Sequence, residues 1–584
     1  MTSTRICSGI VFLSMTACAS PQTLTIAKKG KSPYRIVIAA DASDTLRLAA
    51  SELQYHLREI TGTALEVGDD SRKASAKEIV LGKNAHCTID LGGVGDQGYS
   101  IRTVGKSLII AGATDEGTLN GVYGFLEDHL GCRWVAPGVS VIPKRDPLTI
   151  DVIDDTQSPA LAFREVYQAE AMDPDYARRN RLNGNASIVE GNKMVSERHR
   201  DWDMWCHSFF TVVPPDKYLE SNPEYFSLVD GKRQAKQLCL TNSEVFEVTV
   251  ASLMERMAAN PDAHYFSVSQ MDWGGACECE NCRAVDEREG TPMGSVLEFT
   301  NMLAARFPDK TISALSYQYT RRPPKTLKPA DNVLIMLCSI ECNRSRPLGD
   351  DPESAAFRDD VINWSELSDN IFIWDYVVQF SNLVSPFPNL RVLQPNVQFF
   401  VEHGAKGMFA QGSREVGDEF AELRSYMLAK LLWNPDCDID RVMDDFFAGY
   451  FGLAAQPIRE YVDLMHTSLA RSAAPLSIYG GPGAAKDSYL TEDLVAEYNA
   501  LFDEAGAYAV DDDDTLARVE RARMPLMFAQ LELRYGSVDE RRVLLDRFID
   551  LCGRNQVRRL NEWGRPPAEY RDQMTQSLDK EQAR

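Results

Sequence analysis

Between residues 160 and 435 the chain repeats one pattern, a short apolar run followed by a longer stretch of helical periodicity. The runs are Phe163-Arg-Glu-Val-Tyr, Gln237-Leu-Cys-Leu-Thr-Asn, Tyr265-Phe-Ser-Val-Ser, Ile312-Ser-Ala-Leu-Ser-Tyr, Val333-Leu-Ile-Met-Leu-Cys, Ile371-Phe-Ile-Trp-Asp-Tyr and Gly407-Met-Phe-Ala-Gln-Gly. Runs that stay apolar, instead of alternating with polar residues, belong to strands covered on both faces, as in buried parallel sheets. An eighth strand is expected over Arg181-Leu-Asn-Gly-Asn-Ala. Eight strands within roughly 275 residues predict an α/β fold with a (β/α)8 TIM-type barrel. A doubly wound open sheet is the alternative.

The flanks differ from this repeat. Residues 30–152 predict an N-terminal α/β sandwich domain. It would hold strands at Tyr34-Arg-Ile-Val-Ile-Ala and Glu78-Ile-Val-Leu-Gly, a hairpin pair near 98–112, and helices over 45–60 and 114–130. No polar pair converges there, so an accessory role is expected. Residues 436–575 carry helical periodicity almost throughout and predict a C-terminal helical domain.

Residues 1–18 read as a signal peptide: Arg5 supplies the positive start, Ile10 to Met15 the apolar core, and Ser14-Met-Thr-Ala-Cys18 a lipobox. Cys18 would be lipidated, giving an exported cell-envelope lipoprotein that meets the membrane only through that anchor. Simple secretion with cleavage after a small residue is the alternative. A net charge of −23 excludes nucleic acid and anionic membrane surfaces as partners, since both require basic patches.

If the strands form a barrel, reacting groups belong at their C-terminal ends. Those ends carry Glu165, Gln270, Asp272, Trp273, Tyr317, Tyr319, Glu341, Trp374, Asp375, Tyr376 and Gln411, with His207 in a nearby loop. Aromatic faces stack on sugar rings, and carboxylates and amides bind hydroxyls and run acid–base chemistry. There is no G-x-S-x-G elbow and no phosphate-cradling glycine loop. A glycan or glycoprotein substrate is the expected partner, and no cofactor is required. Asp375 could instead pair with Arg164, and Asp272 could only organise the Gly274-Gly275 turn.

Directly after that turn come Cys277, Cys279 and Cys282, spaced C-x-C-x-x-C. Three readings stand: a structural zinc completed by Cys239, Cys338 or Cys342, one disulfide favoured by export, or loop packing.

Several of these motifs together resemble a known family. Ser267-Val-Ser-Gln-Met-Asp-Trp-Gly-Gly with the cysteine run, Ser316-Tyr-Gln-Tyr-Thr-Arg-Arg-Pro-Pro, Leu337-Cys-Ser-Ile-Glu-Cys, Ile373-Trp-Asp-Tyr and Phe387-Pro-Asn-Leu are similar to a large bacterial domain-of-unknown-function family, part of which forms glycoside hydrolase family 163. The N-terminal unit resembles the domain preceding the barrel in β-hexosaminidases and α-glucuronidases. The resemblance implies a retaining endo-β-N-acetylglucosaminidase acting on N-glycans by substrate assistance. In that reading Asp272, or Asp375 in its place, polarises the 2-acetamido group and Glu341 is the general acid. Glu165, His207, Gln270, Trp273, Tyr317, Tyr319, Trp374, Tyr376 and Gln411 would bind substrate. One departure is Ala410, where the family is expected to carry an acid. A non-catalytic glycan-binding lipoprotein and an α-glucuronidase-like exo-glycosidase, with Arg164 or Arg321 facing a sugar carboxylate, are the alternatives.

Overall fold

The computed structural model describes residues 23–584 apart from 187, 191 and 192, and for 188–190 and 193–194 the backbone alone. The expected lipobox and Cys18 lie outside the described residues. The chain divides into two compact units, one running to Leu130 and resuming over Ile142–Gln157, the other comprising Gly131–Val141 and Ser158–Arg584.

The first unit is a six-stranded mixed sheet in the order Asp154–Gln157, Tyr99–Val104, Ser107–Gly112, Glu78–Leu81, Arg35–Ile38, Glu66–Asp69. Its helices, Asp44–Thr61 and Asp115–Gly124, pack against each other. The first starts where the Ser43 side chain accepts from the Leu46 amide and stops at Gly62, whose φ of 71° suits glycine.

The second unit is built on six parallel strands: β1 (Phe163–Val166), β2 (Tyr265–Ser267), β3 (Thr311–Ser316), β4 (Val333–Cys338), β5 (Ile371–Tyr376) and β6 (Ala405–Gln411). Their order is β1-β6-β5-β4-β3-β2, a curled parallel half-barrel. The curl is tight at β6, where Phe163 and Phe372 meet at 5.2 Å between centroids over Gly407. A Cβ on Gly407 would lie 2.8 Å from both rings' side chains, so only glycine fits between them.

The eight-stranded ring expected from the sequence is not what the described residues form. Residues 183–185 lie along β1 with one backbone bond, from the Gly184 amide to the Arg164 carbonyl at 3.0 Å, and side-chain amides supply the rest of the pairing. Asn183 accepts from the Arg164 amide and donates to the Ala162 carbonyl. Asn185 does the same for Val166. At the other edge, residues 201–204 run parallel to β2, with Trp202 opposite Tyr265 and backbone bonds from His264 to Asp201, Asp203 to Tyr265 and Ser267 to Met204. The run at 237–242 begins as the last two residues of an antiparallel hairpin, Phe226–Val229 with Lys232–Leu238, turned by Asp230 and Gly231, both at positive φ, and continues as the turn into helix Ser243–Ala259. Asp-Gly between two strands is a hairpin signal, and it outweighs the apolar run that follows it. From Ala421 onward the chain is helical, with long helices at Ala455–Ser472, Asp513–Leu533 and Val538–Arg554. No helix among the described residues is long and apolar enough to cross a membrane.

Candidate active site

Strand alternation sorts the candidate residues before any chemistry is considered. Phe163, Trp205, Phe372, Trp374 and Phe409 are in ring contact with one another on the concave face of the sheet. Register carries the same parity to Glu165 (opposite Phe409), Cys338 (opposite Trp374), Leu315 (opposite Met336) and hence Tyr317. Arg164, Asp375 and Ala410 have the opposite parity and face the surrounding helices.

That parity decides Asp375. It is buried, accepts from Ser339 Oγ at 2.5 Å and lies 3.7 Å from the equally buried Arg344 guanidinium. Its expected partner Arg164 instead gives its guanidinium to the carbonyls of Leu161, Ala162 and Arg181. An acid at Ala410, which is fully buried beside Asp375 in the ladder, would also have faced away from the concave side.

At the C-terminal end of the sheet the structure brings together Asp272, Glu341, His207, Tyr317 and Tyr376. Asp272 stays exposed on 59% of its side chain. Its Oδ1 accepts from the Tyr317 hydroxyl at 3.0 Å and lies 3.8 Å from His207 Nε2. His207 points that nitrogen at Asp272 because its Nδ1 donates to the Gln270 carbonyl at 2.8 Å. Its φ of 48° is uncommon for a residue with a Cβ, a local strain of the kind that gathers at working sites. Glu341 is also exposed, and its Oε2 pairs with Arg321 Nη1 at 3.1 Å; Arg321 Nε holds Asp360 at 2.7 Å.

Burial raises the Tyr317 hydroxyl far above its ordinary range, and the negative charge of Asp272 adds to this. Burial does the same to Tyr376. Tyr317 is therefore a fixed hydrogen-bond donor. Burial also raises Tyr479, and Asp272 and Glu341 both act on its hydroxyl. Tyr479 comes from the loop after Ala455–Ser472, more than 130 residues from either carboxylate, and no local sequence signal marks it. Its ring packs on Phe380 and stacks at 20° on Trp563, and both Tyr479 and Trp563 are largely exposed.

Deeper on the concave face, Trp374 Nε1 donates to Gln411 Oε1 at 2.6 Å. Glu165 is buried and pairs with Arg198 at 2.8 Å. Burial pushes its carboxyl up to about 8, against the pull of Arg198 and Arg414. Arg198 lies over the rings of Trp205, Tyr167 and Phe409, and Arg414 over Tyr167. Neither arginine was singled out from the sequence.

The remaining candidates lie around this cluster. The Gln270 amide is buried and donates to Thr320 Oγ1 and the Leu315 carbonyl, so it supports the loop. Trp273 donates to the Lys236 carbonyl and packs near Phe210, on the hairpin side. Tyr319 is raised by burial and feels Asp286 of helix Glu280–Glu289, not Asp272. Cys277, Cys279 and Cys282 gather with Cys239, one of the three partners considered, and not with Cys338 or Cys342.

Comparison with known proteins fits this architecture. Residues 134–463 match a family described as a domain of unknown function, DUF4838, and residues 22–125 match the glycosyl hydrolase family 67 N-terminus. The first match spans more than half of the chain, so this protein belongs to the DUF4838 family. No curated protein sequence matches it. Among solved structures, a family GH115 4-O-methyl-α-glucuronidase with specificity for decorated arabinogalactans superposes at a TM-score of 0.54 and 12% identity. That superposition covers 91% of this chain and 77% of that one. A chitobiase from Flavobacterium johnsoniae superposes at 0.43 and 10% identity over 90% of this chain and 94% of that one, too remote to carry an argument. At 12% identity, what this chain shares with the GH115 enzyme is the fold.

Proposed function

We propose that this protein is an exported glycoside hydrolase acting on N-acetylglucosamine-containing glycans, a retaining endo-β-N-acetylglucosaminidase that uses the substrate's 2-acetamido group as nucleophile. The observation that carries the reading is Asp272, an exposed carboxylate held by a buried tyrosine hydroxyl at the C-terminal end of a curled parallel sheet. Asp272 accepts the acetamido N–H and so raises the nucleophilicity of the acetamido oxygen. That oxygen bonds to C1 as the bond from C1 to the leaving oxygen breaks, and Glu341 gives its proton to the leaving oxygen. Water then opens the cyclic intermediate, returning its proton to Glu341. Arg321, fixed on its other side by Asp360, sets where Glu341 points. Tyr479 and Trp563 would form a sugar-stacking platform. Membership of glycoside hydrolase family 163 and lipid anchoring at Cys18 are parts of the same proposal, supported by the motifs quoted above.

The test is release of reducing-end glycan from a complex N-glycoprotein, with Asp272→Asn and Glu341→Gln alongside. Turnover unchanged in both variants would overturn the assignment. Loss of turnover with retained binding of a thiazoline mimic of the cyclic intermediate would support it.

A second reading is an exo-acting α-glucuronidase-like enzyme. It draws on the family 67 N-terminal match and on Arg198 and Arg414, cations on the concave face suited to a sugar carboxylate. Of the two candidates from sequence, Arg164 faces the helices and cannot serve, and Arg321 is held between Glu341 and Asp360. A panel of aryl glycosides separates the two readings by whether 2-acetamido or uronic acid substrates turn over.

A further inference from the structure

The four cysteines Cys239, Cys277, Cys279 and Cys282 come from two separate segments and converge outside the carbohydrate cleft. Cys239 follows the hairpin strand Lys232–Leu238. Cys277 lies in the loop after Gly275, Cys279 caps helix Glu280–Glu289, and Cys282 sits in its first turn. All four sulfurs lie within 4.8 Å of one another, with Cys239 Sγ 3.6 Å from Cys279 Sγ and 3.9 Å from Cys282 Sγ. Cys239, Cys277 and Cys282 are buried and Cys279 is half-buried.

We propose that these four thiolates bind one structural zinc ion. A disulfide brings two sulfurs to about 2.05 Å and leaves no reason for two more to crowd the same point. Four thiolates about 2.3 Å from a tetrahedral zinc have sulfur–sulfur edges of about 3.8 Å, close to the 3.6 and 3.9 Å from Cys239 to Cys279 and Cys282. Soft sulfur donors select zinc over the hard cations, and a complete set of four leaves no position for a reactive water, so the site is structural.

The surroundings fit a negatively charged thiolate complex. The Leu228 amide donates to Cys277 Sγ at 3.4 Å, and Arg233 Nη1 lies 3.6 Å from the same sulfur. Thr241 Oγ1 is 3.1 Å from Cys282 Sγ and 3.9 Å from Cys279 Sγ. A cation, an amide and a hydroxyl around the sulfurs are the outer partners that tune and orient metal ligands. The helix that starts at Cys279 adds its positive end.

The ion would pin the hairpin to the loop that carries Asp272. Polar contacts already run between the two. Gln237 Oε1 accepts from the Met271 amide at 2.9 Å, Gln237 Nε2 donates to the Trp273 carbonyl at 2.6 Å, and the Glu278 amide donates to the Leu228 carbonyl at 2.8 Å. The zinc closes the far end of this double strap, and Asp272 stands at the near end.

The full chain, purified without metal-affinity resin, is analysed for metals by mass spectrometry. One zinc per chain is expected, released stoichiometrically when a mercurial modifies the thiols. Cobalt exchanged into the site should show the intense thiolate-to-cobalt absorption of a tetrahedral sulfur site. Cys239→Ser and Cys282→Ser should lose most of the zinc, and Cys437→Ser should keep all of it. Should the two variants fail to fold, the wild-type metal content and cobalt spectrum still decide the matter. Hydrogen exchange on the zinc-depleted protein should rise over 226–242 and 271–282 and stay unchanged over 99–112. A chain without stoichiometric metal, with these cysteines in disulfides or freely alkylated in the native state, overturns the proposal; stoichiometric iron overturns the choice of zinc.

Discussion

The Tyr317 hydroxyl donates a 3.0 Å hydrogen bond to Oδ1 of Asp272, so a buried ring orients an exposed carboxylate. Burial keeps that hydroxyl protonated across the working pH range, and Gln318 Nε2 donates to its oxygen at 3.0 Å. A donor fixed in this way costs nothing to reorganise when a substrate amide arrives at the other carboxylate oxygen.

Replacing Tyr317 by Phe removes the donor and keeps the ring. If Asp272 polarises the acetamido group, kcat should fall by about 10- to 100-fold with KM little changed. Asp272→Asn should cost about 1,000-fold. Steady-state kinetics on a chromogenic N-acetylglucosaminide give both values. Equal kcat in wild type and Tyr317→Phe would deny the bond any catalytic part.

Tyr479 and Trp563 stack at 20° with centroids 6.5 Å apart and leave their outer faces to solvent. Neither ring supports a core at its exposed side. Trp563→Ala should therefore leave the melting temperature within about a degree of wild type, since exposed substitutions are usually near neutral. It should weaken glycan binding by about 1 kcal/mol, roughly 5-fold in KM for a long substrate and almost nothing for a short one. Calorimetry with an extended and a truncated N-glycan checks this, and equal losses on both would place the platform at the reacting sugar itself.

Much of the concave face was legible from the sequence, because the apolar runs gave the strands and period-two alternation puts Trp374 with Tyr376 on one side. The same alternation puts Asp375 on the other side, and treating every polar residue at a strand end as a site residue overlooked it. The two expected strands that are absent have local causes: the Asp230-Gly231 turn makes a hairpin, and Asn183 and Asn185 carry most of the pairing that a backbone ladder would. Tyr479, Trp563 and Arg198 were not legible. Each reaches the cleft from a distant segment, and long-range packing leaves no local pattern in a single sequence. Cys239 was one of three partners for the cysteine run, and only the hairpin's position against loop 271–282 distinguishes it.

Asp375 and Arg344 are buried within 3.7 Å of each other, with Ser339 bonded to both. Asp375→Asn leaves a buried guanidinium without its counter-charge, which costs about 3 kcal/mol when such a pair is broken. Urea melts should show that loss, and the surviving folded enzyme should keep its kcat. Unchanged stability with abolished turnover would return Asp375 to the list of reacting groups.

Glu165 gives a pH test with a definite sign. Burial raises its carboxyl from an ordinary 4.5 to about 8, with Arg198 and Arg414 opposing. Its Oε2 has no hydrogen-bond partner among the described residues. In the folded protein Glu165 therefore holds its proton over a range where the unfolded chain has lost it. The stability this contributes is fully present below about 4.5 and is lost as pH rises through about 8. A shift of that size is worth about 5 kcal/mol between the ends of the window. Asp418, raised to about 7 by burial, slopes the same way, and His466, lowered to about 4 by burial, slopes the opposite way at the acid end. The comparison with Glu165→Gln cancels both. Gln copies the neutral carboxyl, so the two proteins should melt together near pH 5, and the variant should become progressively the more stable one toward pH 8. Parallel melting curves across that range would show that Glu165 is ionised in the folded protein, bound to Arg198 as an ordinary ion pair.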